Sequence, residues 1–412
     1  MYKYRLTLLL LFILATFASL PAHAQEVEEI IKIKTRVVFL DALVKDKKTN
    51  LPISNLPIEN FQVLDDGKPR NISYFTREGQ ARKPLALILI LDLREDGAGR
   101  FLKRPEILKA MEDELAKLPP GDEVAIMAMD MYEDEERLWL TEFTNDRAKL
   151  AAALARVPAM CVPHEGQPPR TDSTVAAKTD ESGGKPDDVV ETEKIVGKNG
   201  GTVIRETRRD GSVNVKRTNK KGNVTVDLGD VYDMAAAVKD ATRKAEQTRP
   251  NSQVSIVWVS DGIAPIFFED RDATEQVLIR NNVIFSSLTV ELRTLFKFLL
   301  PVAKPVGGWL GMSLYGSAKY LAQRSGGEAV KVGKPKDYGA GLSQIIGNLT
   351  ARYSLGFALA EDEIDDGRMH NLEVRVKAQD AKGKNRKLQV SSRQGYYMSS
   401  TLPKDAAAKA QF

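Results

Sequence analysis

The chain has 412 residues, 42% of them hydrophobic, and a formal net charge of +4. That length and apolar share suffice for two or three domains with real cores, so disorder is not the default reading. A near-neutral balance without a basic stripe disfavours nucleic acid or another polyanion as partner, and the single cysteine, Cys161, excludes an internal disulfide.

The first residues read as an export signal. Lys3 and Arg5 precede a run over 6–20 rich in Leu, Phe, Ile and Ala, and Ala22 and Ala24 suit signal peptidase, which predicts residues 1–24 as a signal peptide and a mature start at Gln25. At about 15 residues the run is shorter than the ~20 needed to span a bilayer, and an uncleaved anchor is the alternative. The expected location is secreted or periplasmic, with no transmembrane helix after cleavage. Of the histidines, His164 and His370 then remain, far apart in sequence, so neither a Cys/His zinc cluster nor a His-based metal triad is easily built.

Residues 25–79 carry a strand grammar. Ile31, Ile33, Thr35 and Val37 alternate with Lys32, Lys34 and Arg36, and Asp65-Asp66-Gly67 separates two strand-like runs, the signal of a hairpin. This predicts a small antiparallel β domain, with residues 79–83 as the linker.

A different grammar begins at Pro84. Residues 85–91 are continuously apolar and end in Asp92, as expected of a strand buried on both faces of a parallel sheet. Helical and strand-like stretches then alternate over 101–118, 123–131, 137–143, 146–157, 231–249, 253–260, 272–280 and 282–289. Residues 316–325 and 337–349 read as further helices, with a strand over 328–332 between them. Such alternation predicts, over 84–349, a doubly wound and mostly parallel α/β sheet. Residues 163–227 interrupt it as a hydrophilic insertion, its first half lacking any periodicity and its second suggesting a β meander over 202–207, 212–218 and 223–227. Strands return over 353–358, 372–377 and 388–392, a C-terminal β module spanning 350–400, and residues 401–412 form a fraying tail.

In an open parallel sheet ligands meet the carboxyl ends of the strands. Two such ends carry acids, Asp92 and Asp261. One aspartate there is commonly a helix cap, but two favour a shared polar pocket in which close like charges need a cation between them.

At these residues the chain resembles a known family. Pro84 to Leu93, followed by Val254-Ser255-Ile256-Val257-Trp258-Val259-Ser260-Asp261-Gly262, is similar to the first and fourth strands of a von Willebrand factor A domain. The upstream run Asn60-Phe61-Gln62-Val63-Leu64-Asp65-Asp66-Gly67-Lys68-Pro69 and the downstream runs Tyr353-Ser354-Leu355-Gly356-Phe357, Leu372-Glu373-Val374 and Arg393-Gln394-Gly395-Tyr396-Tyr397 resemble the VWFA-related family of secreted acidobacterial proteins. The resemblance implies a Rossmann-like α/β fold, a binding rather than catalytic role, and a divalent cation, usually Mg²⁺, held through Asp-x-Ser-x-Ser, a later Thr and the Asp of an Asp-Gly pair. Here Asp92 and Asp261 match that pattern. Arg94 and Asp96 stand where the two hydroxyls belong, and Gly229 stands near the expected Thr, so the adhesion site reads as degenerate.

Arg offers only donors and cannot coordinate a metal. Its guanidinium can replace the ion as counter-charge to Asp92 and Asp261. The alternative retains a metal, held by Asp92, Asp96 and Asp261, with Arg94 turned to solvent. No cofactor is expected under the first arrangement, and Mg²⁺ under the second. An acidic group on a protein or surface ligand would meet Arg94.

Other features have plainer readings: the cluster over 133–136 as a solvated turn, Cys161 as a loop thiol available for dimerisation, and the apolar segment 295–314, broken by Pro301, Pro305 and Gly307-Gly308, as a helix and loop on the sheet or a docking patch. No nucleophile elbow, phosphate loop or nucleophilic triad is present, so no enzyme activity is expected. The expected role is an exported, adhesion-type binding protein of the cell envelope; a structural or assembly component without a discrete ligand site is the alternative.

Overall fold

The computed structural model describes residues 36–77, 82–94, 98–129, 137–160, 189–197, 200–208, 213–230, 233–290, 310–360, 362–380 and 382–398. The expected signal peptide, Asp96, the acids at 133–136, Cys161, His164, segment 165–188, residues 295–309 of the apolar segment and the tail 401–412 lie outside them.

The N-terminal strands are β1 (Val37–Asp46), β2 (Phe61–Asp65), β3 (Lys68–Arg70) and β4 (Tyr74–Thr76). The hairpin expected at Asp65-Asp66-Gly67 joins β2 to β3, with Asp66 and Gly67 both at positive φ, as a tight reversal requires. Next come β5 (Leu85–Asp92), α1 (Gly99–Leu102), α2 (Pro105–Leu115), β6 (Glu123–Met129), β7 (Arg137–Thr144) and α3 (Arg147–Met160). The single helix expected over 101–118 is two, because Pro105 lacks an amide hydrogen and sits at a helix start. The inserted strands are β8 (Val189–Val196), β9 (Thr202–Arg208), β10 (Val213–Thr218) and β11 (Val224–Asp230). Then follow α4 (Met234–Thr248), β12 (Gln253–Ser260), β13 (Ile263–Phe267), α5 (Phe268–Arg280), β14 (Ile284–Val290), β15 (Met312–Tyr315), α6 (Ser317–Ser325), β16 (Ala329–Val332) and α7 (Tyr338–Thr350). The chain closes with β17 (Tyr353–Ala358), β18 (Met369–Val376), β19 (Leu388–Ser392) and β20 (Gly395–Tyr397).

The α/β layer is built on a six-stranded sheet of order β16-β14-β12-β5-β6-β7, parallel except for the edge strand β7. Every residue of β5 is buried, which explains its unbroken apolar run. Leu87 and Leu89 face one core with Leu108, Leu154 and Leu342 of α2, α3 and α7. Ile88 and Ile90 face the other with Val238, Leu278 and Leu321 of α4, α5 and α6. Among the described residues no helix is long and apolar enough to cross a membrane.

The two flanking β modules expected from sequence are corrected to one body. β1 pairs with β17 and β19, and β2 pairs with β18, giving sheets of order β19-β1-β17-β4 and β20-β18-β2-β3 around a shared core that includes Leu40, Val63, Tyr353 and Phe357. Neither end could bury an apolar face alone, so both ends of the chain contribute strands to the same sheets. The Tyr353 hydroxyl fastens them further, donating to Ile53 O (2.8 Å) and accepting from the Leu56 amide (2.8 Å).

The insertion forms a four-stranded antiparallel sheet, β11-β10-β9-β8, one strand more than the meander expected. Val203 and Val215 join the core containing α4 and α5. Charge anchors it as well: Arg205, 5% exposed, bonds Asp233 (3.1 Å) and Asp270, while Lys239 bonds Glu193 (2.9 Å) and Asp270 (3.0 Å).

Candidate functional site at the strand ends

Strands β5 and β12 lie side by side and parallel, with Leu91 opposite Val259, so their C-terminal residues emerge together. From this pair the sheet grows in opposite directions, through β6 on one side and β14 on the other, the point of an open α/β sheet at which ligands are generally met. Asp92 ends β5 and Asp261 follows β12, and their side chains are fully buried. Gly262, at φ +89°, lets the backbone turn immediately after Asp261.

Arg94 folds back onto Asp92. Its Nε donates to Oδ1 at 2.8 Å and its Nη2 to Oδ2 at 2.6 Å, a bidentate pair, while Nη2 also donates to Ile263 O at 2.5 Å. The same Nη2 lies 3.8 Å from Asp261 Oδ1. The structure thus brings Asp92, Arg94 and Asp261 together; Asp96 is outside the described residues. Gly229 ends up within β11, whose register with β10 places Asp230 opposite Asn214.

Ser260 completes the site. Its hydroxyl is 2.6 Å from Asp92 Oδ2 and 3.3 Å from Asp261 Oδ1, and it accepts the Gly262 amide at 3.2 Å. Tyr338, buried at the start of α7, donates to Ser260 O at 2.9 Å. Sequence reading passed over both: Ser260 appeared only as part of a signature, and Tyr338 carries no signal until the fold delivers it. Asp261 Oδ1 accepts the Ile263 amide (2.9 Å), whereas its buried Oδ2 accepts no hydrogen bond. Burial, then the like charge of Asp92, push the Asp261 carboxyl up to about 6 against the opposing pull of the Ile263 amide, Arg94 and Ser260. Burial likewise raises the Tyr338 phenol.

Among the described residues, both Asp92 oxygens already accept from the Arg94 guanidinium, which brings a positive charge of its own beside the two carboxylates and leaves Asp261 Oδ2 without a partner, a poor set for a divalent cation; Asp96, the third carboxylate of the metal-bound alternative, lies outside those residues. Two carboxylates share one guanidinium whose Nε and Nη2 are already engaged.

No protein-family model matches the chain, and no curated protein matches it. Solved structures similar to it include a von Willebrand factor type A protein from Catenulispora acidiphila (8% identity, 91% of this chain and 78% of that one, TM-score 0.37). The pilus adhesin SpaC from Lactobacillus rhamnosus GG, in its open conformation, is similar at 7% identity over 84% of this chain and 48% of that one (TM-score 0.35). Manganese-loaded TRAP protein of Plasmodium vivax is similar at 8% identity over 82% of this chain and 98% of that one (TM-score 0.33). Each of these likenesses is low in both identity and TM-score.

Proposed function

We propose that this protein is an exported, non-catalytic binding protein whose strand-end site is held together by Arg94 in place of a metal ion. The observation that carries the reading is the bidentate Arg94–Asp92 pair, with the guanidinium 3.8 Å from Asp261. A tethered cation satisfies the site within the chain, so partner binding proceeds without a divalent ion. Asp261 Oδ2, buried and without a hydrogen bond, suits a donor group on the partner better than an acidic one. Export rests on the basic, apolar and small-residue pattern of residues 3–24.

Two measurements test this. Calorimetric titration of the full protein with Mg²⁺ should give no isotherm that depends on Asp261; a micromolar isotherm abolished by Asp261→Ala would overturn the replacement of ion by arginine. Partner retention from envelope extract should survive EDTA and fail in Arg94→Ala. If wild type and Arg94→Ala retain the same proteins, the strand-end site is not the binding surface, and the alternative of a structural component gains.

A further inference from the structure

The β body contains a second cluster of charged groups, apart from the strand-end site. Asp65 ends β2, Asp66 follows it in the hairpin, and His370 lies on β18, the strand that pairs with β2. One ligand atom from each of these three residues lies within 4.8 Å of the other two. We propose that they form a site for a divalent transition-metal ion, with Asp65 Oδ1, Asp66 Oδ2 and His370 Nδ1 as ligands and zinc as the ion it holds best.

Asp65 supplies the first argument. The residue is 3% exposed, and its Oδ2 accepts from Arg70 (2.7 and 3.0 Å) and from the Tyr396 hydroxyl (3.1 Å), while Oδ1 is buried without any hydrogen bond. A buried carboxylate oxygen left unpaired is costly unless something positive meets it.

His370 supplies the second. Its Nδ1 is 3.0 Å from Asp66 Oδ2 and its Nε2 is 3.3 Å from Asp366 Oδ1. A neutral imidazole carries one N–H, so only one of these contacts is then a hydrogen bond. With Nε2–H donated to Asp366, the Nδ1 lone pair faces Asp66 Oδ2. Two ligand atoms each about 2.1 Å from a tetrahedral ion stand roughly 3.4 Å apart, so the observed 3.0 Å needs to open by only a few tenths of an ångström to admit one. A ring nitrogen on the metal and the other on a carboxylate is the usual way such a histidine is oriented. Asp66 is fixed too, its Oδ1 accepting the Asn371 amide at 2.9 Å, and the imidazole stacks on Tyr396.

Charge supplies the third. Asp65, Asp66, Glu363 and Asp366 are bonded into the cluster against Arg70 and Arg368, so a neutral imidazole leaves two negative charges for a divalent ion to balance. The mixed nitrogen and oxygen donors suit zinc above magnesium or calcium. Arg368, 57% exposed on its side chain, lies 3.0 Å from Asp66 Oδ2 and gives way to the ion from the solvent side.

Titration of the EDTA-treated full protein with zinc chloride tests the site. We expect one equivalent bound at micromolar affinity or tighter, lost in Asp66→Ala and His370→Asn, and weakened roughly 10–100-fold in Asp366→Asn, which removes no ligand. Asp261→Ala leaves the isotherm unchanged, so this result stands apart from the strand-end reading. Circular dichroism checks that each variant folds, and Asp366→Asn, altered outside the ligand set, keeps the test open should the others not. No isotherm at millimolar zinc, or zinc binding undiminished in folded Asp66→Ala, would overturn the proposal.

Discussion

Replacing Arg94 by alanine probes the strand-end site most directly. The guanidinium bonds both oxygens of a fully buried carboxylate at 2.6 and 2.8 Å and lies 3.8 Å from a second. At an effective dielectric of about 20, unit charges at the longer separation interact by roughly 4 kcal/mol. Removing one partner of a buried pair typically costs about 3–5 kcal/mol, because the other charge stays behind uncompensated. Urea unfolding near neutral pH should therefore show Arg94→Ala less stable by about 3–5 kcal/mol, with the slope unchanged. The deficit is electrostatic and must shrink in acid. Without the guanidinium the Asp261 carboxyl, already up at about 6, moves higher still and takes a proton, so the like-charge pair with Asp92 is relieved. Millimolar Mg²⁺ should also stabilise Arg94→Ala and leave the wild type unaffected, since the ion then meets two vacated carboxylates. A loss below about 1 kcal/mol, or a larger one indifferent to both pH and Mg²⁺, would show that Arg94 acts by packing and would refute the reasoning.

Asp261 predicts a pH dependence of its own. Its folded-state carboxyl, raised from 3.8 to about 6, contributes stability that is full below the unfolded value and is lost as pH rises through about 6. A shift of roughly two pKa units corresponds to about 3 kcal/mol, so unfolding free energies measured from about pH 4 to 7 should fall by that order in the wild type and less in Asp261→Asn; parallel profiles would count against the described burial. Arg205→Met should loosen the inserted sheet, because among the described residues Asp270 keeps Lys239 alone as its counter-charge. Hydrogen exchange in β8–β11 should accelerate by tenfold or more, consistent with ~1.4 kcal/mol or more of lost anchoring; unchanged exchange would mean that Val203, Val215 and the Lys239–Glu193 and Arg217–Glu269 pairs hold the insertion without Arg205.

The parts of the fold that were legible in sequence are those whose burial leaves a local pattern. The apolar run ending in Asp92 and the run ending in Ser260 are strands buried on both faces, and their chemistry needs no partner to be recognised. The partnership of β1 with β17 and of β2 with β18 left no such trace, since a half-buried strand reads the same whether its neighbour is adjacent or some three hundred residues away. β13 and β15 were missed for a related reason, being short strands that pair with each other outside the main sheet. At the candidate site the acids were visible because their strands announce them, and Arg94 because it stands where the family resemblance implies a hydroxyl. Tyr338 was not, since only the packing of α7 against the sheet carries it to Ser260. His370 was set aside because His164 lies far from it in sequence, although two carboxylates from a distant hairpin lie beside it.

Under the proposed reading a side chain stands in for an ion, and that alters what can control the site. A bound cation comes and goes, so its occupancy, and any binding that requires it, follows its concentration and the strength of its donors. A guanidinium on the residue two after Asp92 has no dissociation step, and its charge persists throughout the accessible pH range. Titration therefore falls to the carboxylates, and of these Asp261 is the one pushed up to about 6. A site of this composition is insensitive to chelators but sensitive to mild acid: protonating Asp261 removes the surplus negative charge and turns an oxygen that lacked a donor into a group that can donate one. Partner affinity should accordingly change across pH 6 in the wild type and stay level in Asp261→Asn, with EDTA altering neither, and a chelator-sensitive, pH-independent affinity would contradict the arginine-held site.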